Sequence, residues 1–216
     1  ATSHLGTARD LKAYFNRSLT LPVLKDFDLS HPRNPIKVTV EDHEGALRYS
    51  GVTLRGIKIS SSPDWLKWKL KAIDLEHINN IVDITNYVLH CLGQPMHAFD
   101  ADEVGSLIIV KRLPTDTPFT TLDGKERKLS DQDLMICNTK GGMCLAGVFG
   151  GQKSGVTNET TDIFLESACF SPEYVRSTAQ RHGLNTDASF RFERSTDPEM
   201  TIFALKYATQ LILEIA

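Results

Sequence analysis

The stretch "IFLESACF", residues 163–170, places one carboxylate inside an otherwise apolar run. Side chains alternate along a strand, so Ile163 and Leu165 would share one face and Glu166 would lie on the other. This pattern allows two interpretations. Either Glu166 faces solvent from the polar side of a half-buried strand, or it presents its carboxylate to a ligand. A buried carboxylate is costly unless it is paired or lies in a polar pocket.

The segments on both sides of this run predict the fold class. Strand-like alternation occurs at 36–40, 49–60 and repeatedly between 107 and 166. Helical spacing and caps occur at 7–19, from Ser62 and Pro63 onward, and at 77–93, 171–183 and 197–215. Helices, then strands, then helices predict an α+β fold with a mixed or antiparallel β-sheet core flanked by helices. A domain boundary is predicted near residue 40, with 1–40 as a leader from a preceding domain and 41–216 as the main domain.

The composition of the chain is that of an ordinary globular protein. Hydrophobic residues make up 41% of the 216 residues and charged residues 24%, and the longest apolar runs are too short to span a bilayer. We therefore expect a cytoplasmic protein that does not bind membranes. The net charge of -3 gives no global basic field, so any contact with RNA must be local. The four cysteines show no C-x-x-C spacing, which predicts reduced thiols that are mostly buried.

The motif "GQPMHAFD", residues 93–100, raises the question of what His97 does. His97 and Asp100 are too few to bind a metal, and the other histidines lack metal-binding spacing, so no metal site is predicted. A lone loop histidine is more often structural than catalytic.

The segment 146–156, "AGVFGGQKSGV", is not a P-loop because Gln152 stands before Lys153 where a glycine is needed. Its glycines either bring the backbone close to a ligand or form a tight turn.

Three arginines lie close together in "RHGLNTDASFRFER", residues 181–194. Arg181, Arg191 and Arg194 could bind a phosphate or a carboxylate partner. Salt bridges with Asp187 or Glu193 are the alternative that the charges favour.

Several of these motifs together resemble one known family. "VDITNYVLHCLGQPMHAFD", "GVFGG..SGV..ET", "FLESACFSPEYVR" and "RHGLNTDASFRFERSTDP" closely resemble the beta subunit of bacterial phenylalanyl-tRNA synthetase, and "SHLGTARDLKAY" resembles the piece that precedes its central domain. The resemblance covers nearly the whole chain in order. One departure is Ser195, where many relatives have glycine.

The resemblance implies an activity, partners and cofactors. It identifies the chain as a fragment that carries the tRNA-editing domain, which hydrolyses tyrosine wrongly attached to tRNA(Phe). The family forms an (αβ)₂ tetramer whose alpha subunit attaches phenylalanine to tRNA with ATP and Mg²⁺. The implied partners are therefore the alpha subunit and the acceptor end of tRNA(Phe), and no cofactor is implied for this fragment itself.

The resemblance also implies roles for individual residues. His97, Asn86 and a Gly147 backbone group would position the attacking water, with a ribose hydroxyl assisting proton transfer. Glu166 would accept the para-hydroxyl proton of tyrosine. The remaining residues of the implied amino-acid site are Thr85, Gly150, Thr186 and Ala188. The alternative function is a non-catalytic RNA-binding or inter-subunit scaffold domain on the same fold.

Overall fold

The computed structural model describes residues 2–26 and 36–216, which contain seven helices and ten strands. The helices are α1 (His4–Phe15), α2 (Asp64–Lys71), α3 (Asn80–Leu92), α4 (Ala101–Val104), α5 (Pro172–His182), α6 (Asp187–Phe192) and α7 (Met200–Ile215). The strands are β1 (Lys37–Val40), β2 (Ala46–Arg55), β3 (Met96–Asp100), β4 (Leu107–Arg112), β5 (Pro118–Thr120), β6 (Glu126–Lys128), β7 (Leu134–Cys137), β8 (Gly142–Leu145), β9 (Phe149–Gly150) and β10 (Asp162–Phe170).

The strands form three sheets. The largest has five strands in the order β1-β4-β7-β8-β9, parallel between β1 and β4 and antiparallel elsewhere. The second is antiparallel with the order β2-β10-β3, and the third is the hairpin of β5 and β6. Mixed and antiparallel sheets flanked by helices confirm the predicted α+β class.

Strand β10 lies between two hydrophobic cores. Phe164, Ala168 and Phe170 belong to a core shared with the five-stranded sheet, α5 and α6. Ile163 and Leu165 belong to the other core, shared with α2, α3 and α7. The alternation of Glu166 with Ile163 and Leu165 is confirmed. The interpretation that Glu166 faces solvent is wrong, because both faces of β10 are covered and Glu166 is only 5% exposed.

Several local predictions match the structure and others differ at the ends of elements. Gly93 and Gly183 end α3 and α5 in the left-handed conformation, which glycine adopts without a steric penalty. Helix α1 begins earlier than predicted because the Ser3 side chain, rather than Thr7, caps it by accepting from the Gly6 amide. Ser62 does not cap α2, since its hydroxyl donates to Asp83 instead.

The first described residues pack against the rest of the chain. Leu5 of α1 is buried in the core that contains α3, and the Thr2 carbonyl accepts a hydrogen bond from Arg191. Strand β1 pairs with β4 from Lys37 onward, so residues 37–40 form one edge of the five-stranded sheet. The boundary near residue 40, which separates 1–40 from 41–216, remains a prediction. Pro32 and Pro35 predict a loop between the first helix and the first strand, and this loop lies outside the described residues.

Candidate functional site

The candidate site is built on the register of the three-stranded sheet. Glu166 of β10 lies directly opposite His97 of β3 on one side and Gly51 of β2 on the other. Directly opposed residues in an antiparallel pair place their side chains on the same face. Glu166 and His97 therefore both point toward the core shared with the five-stranded sheet.

Tyr49 gives the Glu166 side chain a hydrogen-bond partner. The Tyr49 hydroxyl donates to Oε2 of Glu166 at 2.8 Å, across 117 residues of sequence. Tyr49 pairs with Ala168, the next residue after Glu166 on the same face of β10, so the two side chains meet diagonally across the strands. This bond partly offsets the cost of burying the carboxyl group.

Burial governs the protonation of Glu166. Desolvation raises the pKa of this carboxyl from 4.5 to about 8, and the hydrogen bond from Tyr49 opposes that rise. Burial and the neighbouring Glu166 raise the pKa of the Tyr49 hydroxyl well above its usual value. Burial likewise raises the pKa of the Cys144 thiol on β8, and Glu166 adds to this effect. Near neutral pH, the neutral form of Glu166 predominates.

His97 is a neutral imidazole with a free ring nitrogen. Burial lowers its pKa from 6.5 to about 4, so the ring is uncharged at neutral pH. The ring packs edge-on against Phe99, with the centroids 4.4 Å apart. Nε2 is buried and, among the described residues, has no hydrogen-bond partner. A buried polar atom without a partner is uncommon, and it is a natural point of attachment for a water molecule or a substrate.

Gly150 brings the glycine-rich segment next to His97. A Cβ built on Gly150 would lie 3.3 Å from Cε1 of His97 and 2.8 Å from Cδ1 of Leu122. The Leu122 amide also donates to the Gly150 carbonyl at 3.0 Å. A side chain at this position would have to displace the ends of Leu122 and His97, so glycine lets the backbone of Gly150 lie close to the imidazole. The structure thus brings Glu166, His97 and Gly150 together.

Gly147 has a different neighbourhood. Its φ of +70° lies in the left-handed region, and an added Cβ would come within 2.9 Å of the rings of Phe170 and Phe192. Both constraints require glycine for packing and backbone geometry. Thr186 fastens the adjacent backbone, since its hydroxyl donates to the Val148 carbonyl at 3.0 Å.

Thr186 and Ala188 lie at the start of α6, an element that the sequence did not predict. Thr186 caps this helix in a capping box with Ser189, and Ala188 packs against the core on the Glu166 side of β10. The usual sequence signal for such a box is S/T-x-x-E/Q, and here Ser189 stands in place of the glutamate or glutamine.

Thr85 and Asn86 lie on α3, which packs through Ile84 and Val88 into the core on the opposite face of β10. The Thr85 hydroxyl donates to the Val82 carbonyl of its own helix at 2.7 Å. Asn86 is half-buried on the same helix. The contacts within the described residues do not join these two side chains to His97, and their roles remain predictions.

The three arginines form ion pairs, two of them with the predicted partners Asp187 and Glu193. Arg181 pairs with Asp133, and Arg194 pairs with Glu193. Arg191 pairs with Asp187 at 2.8 Å. Their charges are therefore matched within the chain.

Other features of the described residues bear on the expected site. They contain no group of three or more His, Cys, Asp or Glu side chains suited to a metal ion, and no helix among them is long and apolar enough to cross a membrane. All four cysteines are described and are free thiols, three of them buried. A cleft of about 340 Å³ is lined partly by the glycine-rich segment, at Gly151, Gln152 and Lys153, and none of the predicted site residues line it.

Sequence reasoning missed Tyr49 and Cys144, the groups that face Glu166 from β2 and β8. Tyr49 and Gly51 are two residues apart in a predicted strand, so the local pattern does predict that they lie on the same face. The pairing of that strand with β10 is long-range, however, and nothing in the local pattern specifies it.

Comparison with known proteins identifies the family. Residues 45–216 match the family model of the B3/4 domain. The whole chain is 54% identical to part of the phenylalanine–tRNA ligase beta subunit of Bacteroides fragilis and 55% identical to part of that of Porphyromonas gingivalis, in each case over 222 aligned residues. The chain spans 27% of the length of these relatives.

Among solved structures, a similar one is an N-terminal fragment of the phenylalanyl-tRNA synthetase beta subunit from Pyrococcus horikoshii. It is 13% identical, has a TM-score of 0.47, and the alignment covers 83% of this chain and 57% of that one. The family match and the sequence identities carry the assignment. The chain belongs to the B3/4 domain family, and its resemblance to the beta subunit of phenylalanine–tRNA ligase is confirmed.

Proposed function

We propose that this domain edits mischarged tRNA by hydrolysing the ester that joins tyrosine to tRNA(Phe). The observation that carries the proposal is Glu166, a buried ionisable carboxyl directly opposite His97, whose buried Nε2 has no hydrogen-bond partner among the described residues. Burying Glu166 works against stability, so a ligand-binding role gives a reason for its position.

Glu166 would supply the selectivity for tyrosine. A pocket shaped for phenylalanine rejects an added hydroxyl only by a factor of about 10², so a synthetase gains from a second site with the opposite preference. The para-hydroxyl group of tyrosine can donate a hydrogen bond to the Glu166 carboxyl. Phenylalanine would leave that buried group without its partner, at a cost of about 1–3 kcal/mol.

His97 would orient the water that attacks the ester carbonyl. Its pKa of about 4 makes it a weak base but keeps the ring neutral, so Nε2 can accept a hydrogen bond from water at physiological pH. An ester is an activated substrate, and correct placement of water supplies much of the rate gain. The ester C–O bond would then break and release tyrosine, and the leaving ribose oxygen would take up the proton of the water through the neighbouring ribose hydroxyl.

Further residues are assigned by the family resemblance. Asn86 and a backbone group of Gly147 would help to hold the water. The amino-acid pocket would be shaped by Thr85, Gly150, Thr186 and Ala188. The close approach of Gly150 to His97 and the bond from the Thr186 hydroxyl to the Val148 carbonyl support one site for four of these residues: His97, Gly147, Gly150 and Thr186.

The proposed setting is the complete cytoplasmic synthetase. We propose that the chain acts within an (αβ)₂ tetramer, whose alpha subunit would carry aminoacylation with ATP and Mg²⁺. The net charge of -3 provides little attraction for RNA, so other parts of the enzyme would deliver the tRNA acceptor end.

Deacylation assays with the complete synthetase test this function. Wild-type enzyme should hydrolyse Tyr-tRNA(Phe) much faster than Phe-tRNA(Phe). His97→Ala should slow hydrolysis of the tyrosyl ester by about 10²-fold, because a misplaced water loses the benefit of orientation. Glu166→Ala should lower the preference for tyrosine by about tenfold or more.

Two exposed residues provide matched controls, since His77→Ala and Glu76→Ala remove the same kinds of side chain from the surface. Wild-type enzyme that leaves Tyr-tRNA(Phe) intact would favour the scaffold function instead. A His97→Ala enzyme with the wild-type rate would make His97 structural.

A further inference from the structure

Tyr49 is the one side chain in the described part of the structure that hydrogen-bonds to the side chain of Glu166. The bond reaches Oε2 only, at 2.8 Å. On β3, the residue directly opposite Glu166 is His97. On β2, the directly opposite residue is Gly51, which has no side chain that could bind the carboxyl group. Tyr49 therefore holds one oxygen of the Glu166 carboxyl group, and the other oxygen has no side-chain partner within residues 2–26 and 36–216.

We propose that Tyr49 is a specificity-determining positioning residue, whose hydroxyl fixes Oε2 of Glu166 so that Oε1 is presented to the hydroxyl of the bound ligand. This inference rests on the proposed editing function. It assigns Tyr49 no contact with the reacting ester; Tyr49 acts through Glu166.

The physical basis is preorganisation. A glutamate side chain has several rotamers, and a carboxyl group that is free to rotate loses freedom when it binds a ligand. A carboxyl group already held at one oxygen loses less conformational entropy on binding, so its free energy of binding to a hydroxylated ligand is more favourable. The Tyr49 ring lies 6.4 Å from the Phe170 ring, centroid to centroid, so the core limits where its hydroxyl can point.

The same bond influences protonation at the site. The titratable groups that face Glu166 are Tyr49 from β2, His97 from β3 and Cys144 from β8. The donated bond lowers the pKa of Glu166 against the opposing effect of burial. Without the Tyr49 hydroxyl, the Glu166 carboxyl should hold its proton to a higher pH. An ionised carboxylate is the stronger acceptor, so selectivity for tyrosine should rise with pH as Glu166 loses its proton.

The test is Tyr49→Phe in the complete synthetase, which keeps the ring and removes the hydroxyl. We expect the ratio of kcat/KM for Tyr-tRNA(Phe) over Phe-tRNA(Phe) to fall about tenfold, mainly through slower hydrolysis of the tyrosyl ester. The pH midpoint of this ratio should also move to higher pH. Tyr174→Phe is the matched control, because the half-buried Tyr174 hydroxyl accepts a hydrogen bond from Arg112 and makes none with Glu166.

A double-mutant cycle separates a positioning role from general packing. In a Glu166→Ala background, Tyr49→Phe should cause no further loss of selectivity, because the group that it positions is gone. An additional loss there would overturn the proposal. So would equal slowing of both esters with no shift in the pH midpoint, which is what a merely structural role predicts.

The outcomes also distinguish this inference from the proposed function. If wild-type enzyme hydrolyses Tyr-tRNA(Phe) selectively and Tyr49→Phe does so equally well, only the role of Tyr49 is overturned. If wild-type enzyme does not hydrolyse it, both proposals fail. Should Tyr49→Phe not assemble, site-specific replacement of Tyr49 by 3-fluorotyrosine keeps the shape and strengthens the donor. The pH midpoint should then move to lower pH, and an unchanged midpoint would overturn the inference.

Discussion

At the scale of single residues, Glu166 is where stability and the proposed specificity are in conflict. Its pKa rises from 4.5 to about 8 on folding. Between these values the folded state binds more protons than the unfolded state, so this residue lowers the stability of the fold progressively as pH rises. The full penalty is reached above the folded pKa and is absent below the unfolded one.

Glu166→Gln should therefore stabilise the chain in a pH-dependent manner. The amide keeps the shape and can still accept from Tyr49, but it does not ionise. The free energy of unfolding should increase by on the order of 3 kcal/mol at pH 7 and by little at pH 4, since each pKa unit corresponds to about 1.4 kcal/mol. Urea unfolding of wild type and variant at several pH values measures this, with Glu76→Gln as the exposed control. A difference that does not vary with pH would contradict it.

At the scale of secondary-structure elements, two residues that occupy the same kind of position before a helix differ in whether their side chains cap it. Asn79 and Ser171 both precede a helix and both are good capping residues. The Asn79 side chain accepts from the amides of Ile81 and Val82 at the start of α3, whereas the Ser171 side chain makes no capping bond to α5. The same position in sequence thus contributes differently to the two helices.

Asn79→Ala should destabilise the chain by about 1 kcal/mol, because two amides at the start of α3 lose their acceptor. Ser171→Ala is the matched control and should change stability by less than about 0.5 kcal/mol. Chemical denaturation midpoints of both variants, compared at one pH, test the assignment. Equal effects of the two substitutions would argue against it.

At the scale of the whole molecule, Asp133 connects parts of the chain that are distant in sequence. This fully buried carboxylate precedes β7 and accepts hydrogen bonds from Thr178, Arg181 and His182 of α5. It also accepts from the Ser130 amide at 2.8 Å. Asp133 therefore anchors α5 to the five-stranded sheet beside the core that contains the candidate site.

Asp133→Ala should destabilise the fold by about 3–5 kcal/mol, because it leaves Arg181 and buried polar groups without their acceptor. Asp131→Ala, at an exposed neighbouring position, should have little effect. Thermal or urea unfolding with the two variants side by side distinguishes the outcomes. A similar small change in both would show that Asp133 is not the anchor.

Interactions between residues that are neighbours in sequence allowed much of the fold to be predicted. The period of apolar residues, the glycines at helix ends and the alternation along β10 required only neighbouring residues, and these predictions hold. The position of Gln152 excluded a P-loop for a similarly local reason. Helix α6 and the start of α1 were misjudged because their caps depend on side-chain bonds: the capping box of Thr186 with Ser189 begins α6, and Ser3 begins α1.

By itself, then, the sequence determined the α+β class, the face of β10 on which Glu166 lies, and the family. Only the tertiary structure decided that this face is covered, that His97 lies opposite Glu166, and that Tyr49 supplies the hydrogen bond. The physical reason is that sheet register joins segments far apart in the chain, such as Tyr49 and Glu166, 117 residues apart. Burial and pKa values follow from those long-range contacts, whereas periodicity and capping depend on neighbours alone.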